Sequence, residues 1–284
     1  MFAGYNTNGF AHHQLIDTFA ILSELGYGGV AITPDVHDSA LCHRESEPEA
    51  ESIRQTLLGA HRGLLDQYHL RRVIETGARF VLDRRKKHQP TLLGPTPAER
   101  EVRFTFLSQC VHLATTLRAD CVSFWSGTPV DEAAPSELMA RLVEGCKRLA
   151  DIAAGKNVRL AFEPEPGMFI DTMDKFAELH AKVNHPAFGL TIDVGHLVCN
   201  GELPVSRFLT DWKHVLWNVH IEDMRRSVHD HVMFGEGEVD FADVFAGLRA
   251  AGYAGGVYVE LSRHSHDAVN TARKAKAFLG AYGL

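Results

Sequence analysis

The sequence contains no run approaching the ~18 to 20 consecutive apolar residues of a membrane-spanning helix, so no membrane partner is expected. Its first residues show neither the basic start nor the apolar core of a secretory leader, and the resulting expectation is a cytoplasmic location. Cysteine is sparse. Cys42, Cys110, Cys121, Cys146 and Cys199 are scattered, odd in number and without a CxxC pair, which argues against a disulfide framework and for reduced, mostly buried thiols. Positive charge is also in deficit, with 29 Lys and Arg against 36 Asp and Glu, and a net charge of −7 supplies no field for gathering nucleic acid. No linker, low-complexity tract or composition break divides the 284 residues, so 1–284 is expected to form one domain.

What is present is an alternation. Eight short runs rich in apolar and β-branched residues, at 2–5, 29–33, 70–75, 121–125, 159–163, 189–193, 216–220 and 257–261, read as strands. Between and after them lie stretches of helical period at 13–25, 47–65, 97–117, 137–153, 172–183, 205–212, 241–251 and 265–279. In 137–153, for example, Leu138, Leu142, Val143, Cys146, Leu149 and Ile152 form one apolar face. Parallel strands need crossover helices, and eight βα units in this length match a single α/β domain closed as a (β/α)8 TIM barrel. A doubly wound sheet is the weaker alternative, because Gly4 and Gly9 after the first strand do not form a GxGxxG fingerprint.

In such a barrel the C-terminal strand ends converge on one mouth, so ionisable groups there are candidates for chemistry. Those ends carry Glu75, Glu163, Asp193, His220 and Glu260, in a chain with 17 histidines. Four carboxylates gathered in a partly dry site repel one another unless a cation neutralises them. Glu163, Asp193, His220 and Glu260 are therefore the expected ligands of one divalent metal. Their oxygen-rich set favours Mn²⁺ or Mg²⁺, with Zn²⁺ or Co²⁺ as alternatives. Any one of them alone would read as a salt-bridged or capping residue; the coincidence on four strands carries the metal reading.

His196, three residues after Asp193, and His231, before the loop Phe234-Gly235-Glu236-Gly237, are expected substrate contacts. The glycines of that loop would permit close backbone approach to a ligand. Glu75 is expected to support the metal or contact substrate, and Trp125, with Phe124 and Phe169, to supply an apolar wall for the substrate. The segment 83–99 carries Arg84, Arg85, Lys86, Lys87 and His88, which read as a solvated basic loop or as a recognition element for an anionic group.

The motifs Leu160-Ala161-Phe162-Glu163-Pro164, Thr191-Ile192-Asp193-Val194-Gly195-His196, Val219-His220-Ile221-Glu222-Asp223 and Tyr258-Val259-Glu260 resemble the xylose isomerase-like TIM-barrel superfamily, especially its sugar phosphate isomerase/epimerase branch. Resemblance to the ketose 3-epimerases of that branch implies the same four metal ligands, with His196 and Arg226 holding substrate oxygens. The chain departs from that pattern near Phe169, where a further glutamate would be expected and only Glu165 and Asp171 flank the position. The expected reaction is isomerisation or epimerisation of a small carbohydrate or polyol. The cation would polarise a carbonyl while Glu163 and Glu260 act as general base and general acid about an enediolate. Three alternatives use the same frame: a dehydratase that expels a β-hydroxyl, an endonuclease IV-like phosphodiesterase, and a non-catalytic sugar-binding barrel. The endonuclease is disfavoured because the early strand ends offer Glu75 and Trp125 in place of histidines. A homodimer is the default assembly.

Overall fold

A computed structural model describes residues 1–37 and 48–284; Cys42 and Glu47, at the start of one expected helix, lie outside the described residues. The strands in chain order are β1 (Phe2–Asn6), β2 (Gly29–Ile32), β3 (Arg71–Glu75), β4 (Val122–Phe124), β5 (Leu160–Phe162), β6 (Phe188–Asp193), β7 (Leu216–Ile221), β8 (Asp223–Arg225), β9 (Val228–Val232) and β10 (Gly256–Val259). Eight of them close a barrel in the order β1-β10-β7-β6-β5-β4-β3-β2, every pairing parallel. This is a single (β/α)8 TIM barrel. Its outer helices are α1 (Leu15–Glu24), α3 (Pro48–Gln67), α4 (Pro97–Leu117), α5 (Pro135–Gly155), α6 (Met173–Val183), α8 (Val205–Asp211), α9 (Phe241–Ala250) and α10 (Ala268–Gly280), with α2 (Pro34–His37) and α7 (Val194–Asn200) at the mouth. No described helix is long and apolar enough to cross a membrane.

Local chemistry explains the helix boundaries. Thr96 and Glu99 form a reciprocal capping box before α4, and the Thr172 hydroxyl caps α6. The apolar face of α5 buries Leu138, Leu142, Cys146 and Leu149 against the barrel. Cys121, Cys146 and Cys199 are buried free thiols, as expected.

Period-two alternation sorts the barrel interior into layers. Ala31, Val73, Cys121, Ala161 and Tyr258, with Phe2 and Trp217, form an apolar plug at the N-terminal end. A Cβ added to Gly4 or Gly256 would lie 2.2 or 2.5 Å from the Tyr258 ring, so glycine is what admits that ring. Two residues further along, the same strands present Glu75, Ser123, Glu163 and Glu260. Between them Thr191 donates to Ser123 at 3.0 Å, and Asn218 lies 3.1 Å from Nε2 of His220. The apolar plug thus gives way to polar and then ionisable groups along each strand.

The alternation expected from sequence omits one element. Residues 223–232 fold as an antiparallel hairpin, β8–β9, over the barrel mouth instead of a loop. In the Phe234-Gly235-Glu236-Gly237 segment, Gly237 makes room for Asp223. The Gly235 amide donates to Asp223 Oδ2 at 2.8 Å, Met224 and Val239 amides donate to Oδ1, and a Cβ on Gly237 would lie 2.3 Å from that oxygen.

Candidate active site

Each of the four expected ligands arrives on a different strand. Glu163 follows β5, its amide donating to Phe124 O at 2.8 Å; Asp193 ends β6; His220 lies within β7; and Glu260 follows β10, its amide donating to Ile221 O at 3.2 Å. One ligand atom from each falls within 4.8 Å of the others. His220 is the hub. Its Nδ1 lies 3.0 Å from Glu163 Oε1 and 3.1 Å from Glu260 Oε2, while Nε2 lies 3.0 Å from Glu75 Oε2. Glu260 also accepts a 2.8 Å hydrogen bond from Asn8. Asp193 caps α7 by accepting the His196 amide at 3.0 Å through Oδ1, whereas its buried Oδ2 makes no hydrogen bond.

The fields within the cluster follow from these contacts. Burial, reinforced by Glu75 and Glu260, pushes Glu163 up to about 8 despite its contact with His220. Burial acts the same way on Glu260, but the hydrogen bond and charge of His220 outweigh it and hold that carboxyl far below its ordinary value. His220 itself is raised well above the usual imidazole range, because Glu163 and Glu75 overcome its desolvation. Two flanking carboxyls are thereby driven in opposite directions.

The donor set fits a divalent cation. Three carboxylates and one imidazole converge, the buried Asp193 Oδ2 makes no hydrogen bond, and a cation would offset the burial and the added repulsion of Glu75 and Glu260 that raise Glu163. A second group lies alongside. His196, His229 and His231 each offer a ring nitrogen within 4.8 Å of the others, and His231 with Asp193 and Glu222 forms a third such set. His196 Nδ1 faces Pro164 O at 3.2 Å and Nε2 faces His229 Nε2 at 3.0 Å. Burial lowers the His196 imidazole to about 4, leaving it neutral.

These groups open into a cavity of about 1130 Å³ whose wall includes Glu75, Trp125, Glu163, His196, His231 and Glu260. Arg226 is not brought to that wall. It sits in the exposed turn of the β8–β9 hairpin, its amide donating to Glu238, away from the place the family resemblance implied. Phe124 is buried against Phe162 and Phe188 in the core, and neither it nor Phe169 lines the cavity. Sequence reasoning left Asn8 and Glu222 unassigned. Glu222 is fully buried with neither carboxyl oxygen hydrogen-bonded, and its Oε2 lies 3.6 Å from His231 Nδ1. It stands two residues beyond His220, so the strand period itself carried that signal.

Residues 19–282 match the family described as Xylose isomerase-like TIM barrel. The chain belongs to that family. Among relatives of this xylose isomerase-like protein, the inosose dehydratase of Geobacillus thermodenitrificans is 31% identical over 143 residues, covering 42% of this chain and 45% of the relative. The chain thus spans just under half the length of that relative. The L-ribulose-5-phosphate 3-epimerase UlaE of Escherichia coli is 25% identical over 211 residues, covering 74% of each. A D-allulose 3-epimerase from Methylomonas sp., solved in complex with D-allulose, superimposes with a TM-score of 0.76 at 20% identity, over 99% of this chain and 96% of its own. Proteins similar to this one are thus sugar epimerases and a dehydratase.

Proposed function

We propose that this xylose isomerase-like protein is a divalent-metal-dependent isomerase or epimerase of a small carbohydrate or polyol, acting by proton transfer through an enediolate. The observation that carries the reading is the meeting of Glu163, Asp193, His220 and Glu260, from four strands, within 4.8 Å at the barrel mouth. These residues would hold Mn²⁺ or Mg²⁺, with Zn²⁺ or Co²⁺ also compatible, and the ion would supply Lewis acidity toward a carbonyl oxygen and its neighbouring hydroxyl.

Glu163 and Glu260 flank His220 from two sides, at 3.0 and 3.1 Å, which suits one to abstract a C–H proton and the other to return it. Glu75, at 3.0 Å from His220 Nε2, would orient that imidazole from beneath, as carboxylates commonly do for ligating histidines. The neutral His196 and the neighbouring His231 face the cavity where substrate oxygens would acquire charge. Trp125 offers its ring to the sugar's C–H face. Similarity to UlaE and to the allulose epimerase supports this reading; similarity to inosose dehydratase favours, as a second reading, expulsion of a β-hydroxyl from the same enediolate.

The test is metal analysis of the purified protein, paired with deuterium wash-in from D₂O across ketoses, aldoses and inososes. One bound equivalent with solvent deuterium on a substrate carbon is expected. Wash-in accompanied by loss of water from the substrate would move the assignment to dehydration. Absence of metal uptake would end the site assignment, and uptake without exchange or turnover on any substrate would leave a binding protein.

A further inference from the structure

The two sides of the cavity differ in how their charges are balanced. On the side of the β9 and β10 ends, Arg263 is neutralised by Asp230 at 2.8 Å. On the side built by the segment between β3 and α4, Arg79, Lys87 and His88 line the cavity, and Arg103 lies buried behind them. Arg79 reaches Asp35 only at 3.7 Å, through an oxygen that already accepts the Arg79 amide. Lys87 has no carboxylate within ion-pair distance among the described residues.

Arg103 is the unusual member. Its residue is 3% exposed, it too has no carboxylate at ion-pair distance among the described residues, and its Nη1 makes no hydrogen bond. Its guanidinium lies 4.5 Å from the Trp125 ring, with one 3.4 Å hydrogen bond to His88 O. Stacking offsets part of the cost of burying this cation but leaves its charge in place. The field is felt locally: burial and then the charges of Lys87, Arg103 and Arg79 lower the His88 imidazole to about 4. Three cations against the single carboxylate of Asp35 leave two uncompensated positive charges beside a site whose floor is acidic.

We propose that the substrate carries a phosphate monoester at the end remote from its reacting carbons, received by Arg79 and Lys87 with the buried Arg103 supporting them from behind Trp125. A dianion matches the two uncompensated charges, and a polyol spanning from the carboxylate floor to this wall would be oriented by opposite fields at its two ends. Of the five basic residues at 84–88, Lys87 and His88 form the wall, while Arg84, Arg85 and Lys86 do not line this cavity. The inference rests on the proposed polyol chemistry.

The experiment is calorimetric titration of the Mn²⁺-loaded protein with ribulose 5-phosphate, free ribulose, ribonate and inorganic phosphate. The phosphate ester is expected to bind about ten-fold or more tightly than the free ketose, with inorganic phosphate competing and added salt eroding the preference. Lys87→Gln, at an exposed position that should fold normally, should narrow that ratio by about ten-fold, and Arg79→Gln likewise. Equal affinity for the ester and the free ketose overturns the inference while leaving the proposed chemistry standing, as does a preference that survives both substitutions. Tighter binding of ribonate than of the phosphate ester would also overturn the phosphate assignment. A metal-loaded protein that binds none of the polyols would remove the proposed function and this inference together.

Discussion

The two ends of the barrel interior are built on the same strands and by opposite rules. At the N-terminal end the Tyr258 ring, Trp217, Val73 and Cys121 pack as an apolar plug into space left by Gly4 and Gly256. Two residues along each strand, Glu75, Glu163 and Glu260 crowd around His220, and Asp193 Oδ2 and both Glu222 oxygens lack hydrogen bonds. Burial stabilises the first end by removing apolar area from water; at the second it works against stability by stripping charges of solvent. Stability and chemistry are separated by about one strand pleat, and each end should respond differently to substitution.

The largest effect is expected at the plug. Tyr258→Ala should cost about 3 to 5 kcal/mol in denaturant unfolding, as deletion of a buried ring does. A cost below about 1 kcal/mol would mean the plug does not anchor the barrel. At the mouth the readout is metal. Asp193→Asn and Glu163→Gln should each weaken Mn²⁺ binding by about 100-fold or more, since removing even an outer-sphere support costs 10- to 100-fold. Glu163→Gln should leave the metal-free protein as stable or more so, because the fold raises that carboxyl. A loss of metal-free stability as large as that of Tyr258→Ala would erase the distinction between the ends.

The pH response sharpens it further. With Glu163 raised to about 8, the metal-free folded protein retains a proton that the unfolded chain releases near 4.5. The unfolded state therefore binds fewer protons between these values, and stability should fall as pH rises from about 4.5 to 8. The raised His220 acts in the same direction as pH passes its unfolded value. Mn²⁺ affinity should conversely weaken as pH drops below 8, with proton release on binding measurable in buffers of different ionisation enthalpy. A flat profile in both would contradict the coupling of Glu163 to its neighbours. The smallest effect is reserved for Arg226→Ala, which should change substrate affinity by less than about two-fold because the side chain belongs to an exposed hairpin turn.

The barrel and its four converging side chains were legible because strand runs are strongly apolar and those of β5, β6, β7 and β10 reach an ionisable residue at or beside their ends. The hairpin was not. Val228-His229-Asp230-His231-Val232 is polar, pairs only with β8 and covers a mouth instead of a core, so hydrophobic period says little about it. The turn of the hairpin holds Arg226, which the family resemblance had set against substrate. Helix α7 was absent from the expected helices because its signals are compressed: seven residues, with Asp193 serving as N-cap immediately after ending a strand. Glu222 was missed for a different reason, since the motif containing it was read for its histidine alone, although residues i and i+2 of a strand share a face.

The double attachment of Asp193 reaches beyond the ligand set. One oxygen tethers the first turn of α7 and the other faces the cluster without a hydrogen bond, so the segment leaving β6 is fastened to the group that would grip a cation. Because α7 packs on β7, β8 and β9, the carboxylate that faces the cluster also seats the helix lying against the hairpin over the cavity. The floor and the roof of the cavity are, in this architecture, joined through one side chain.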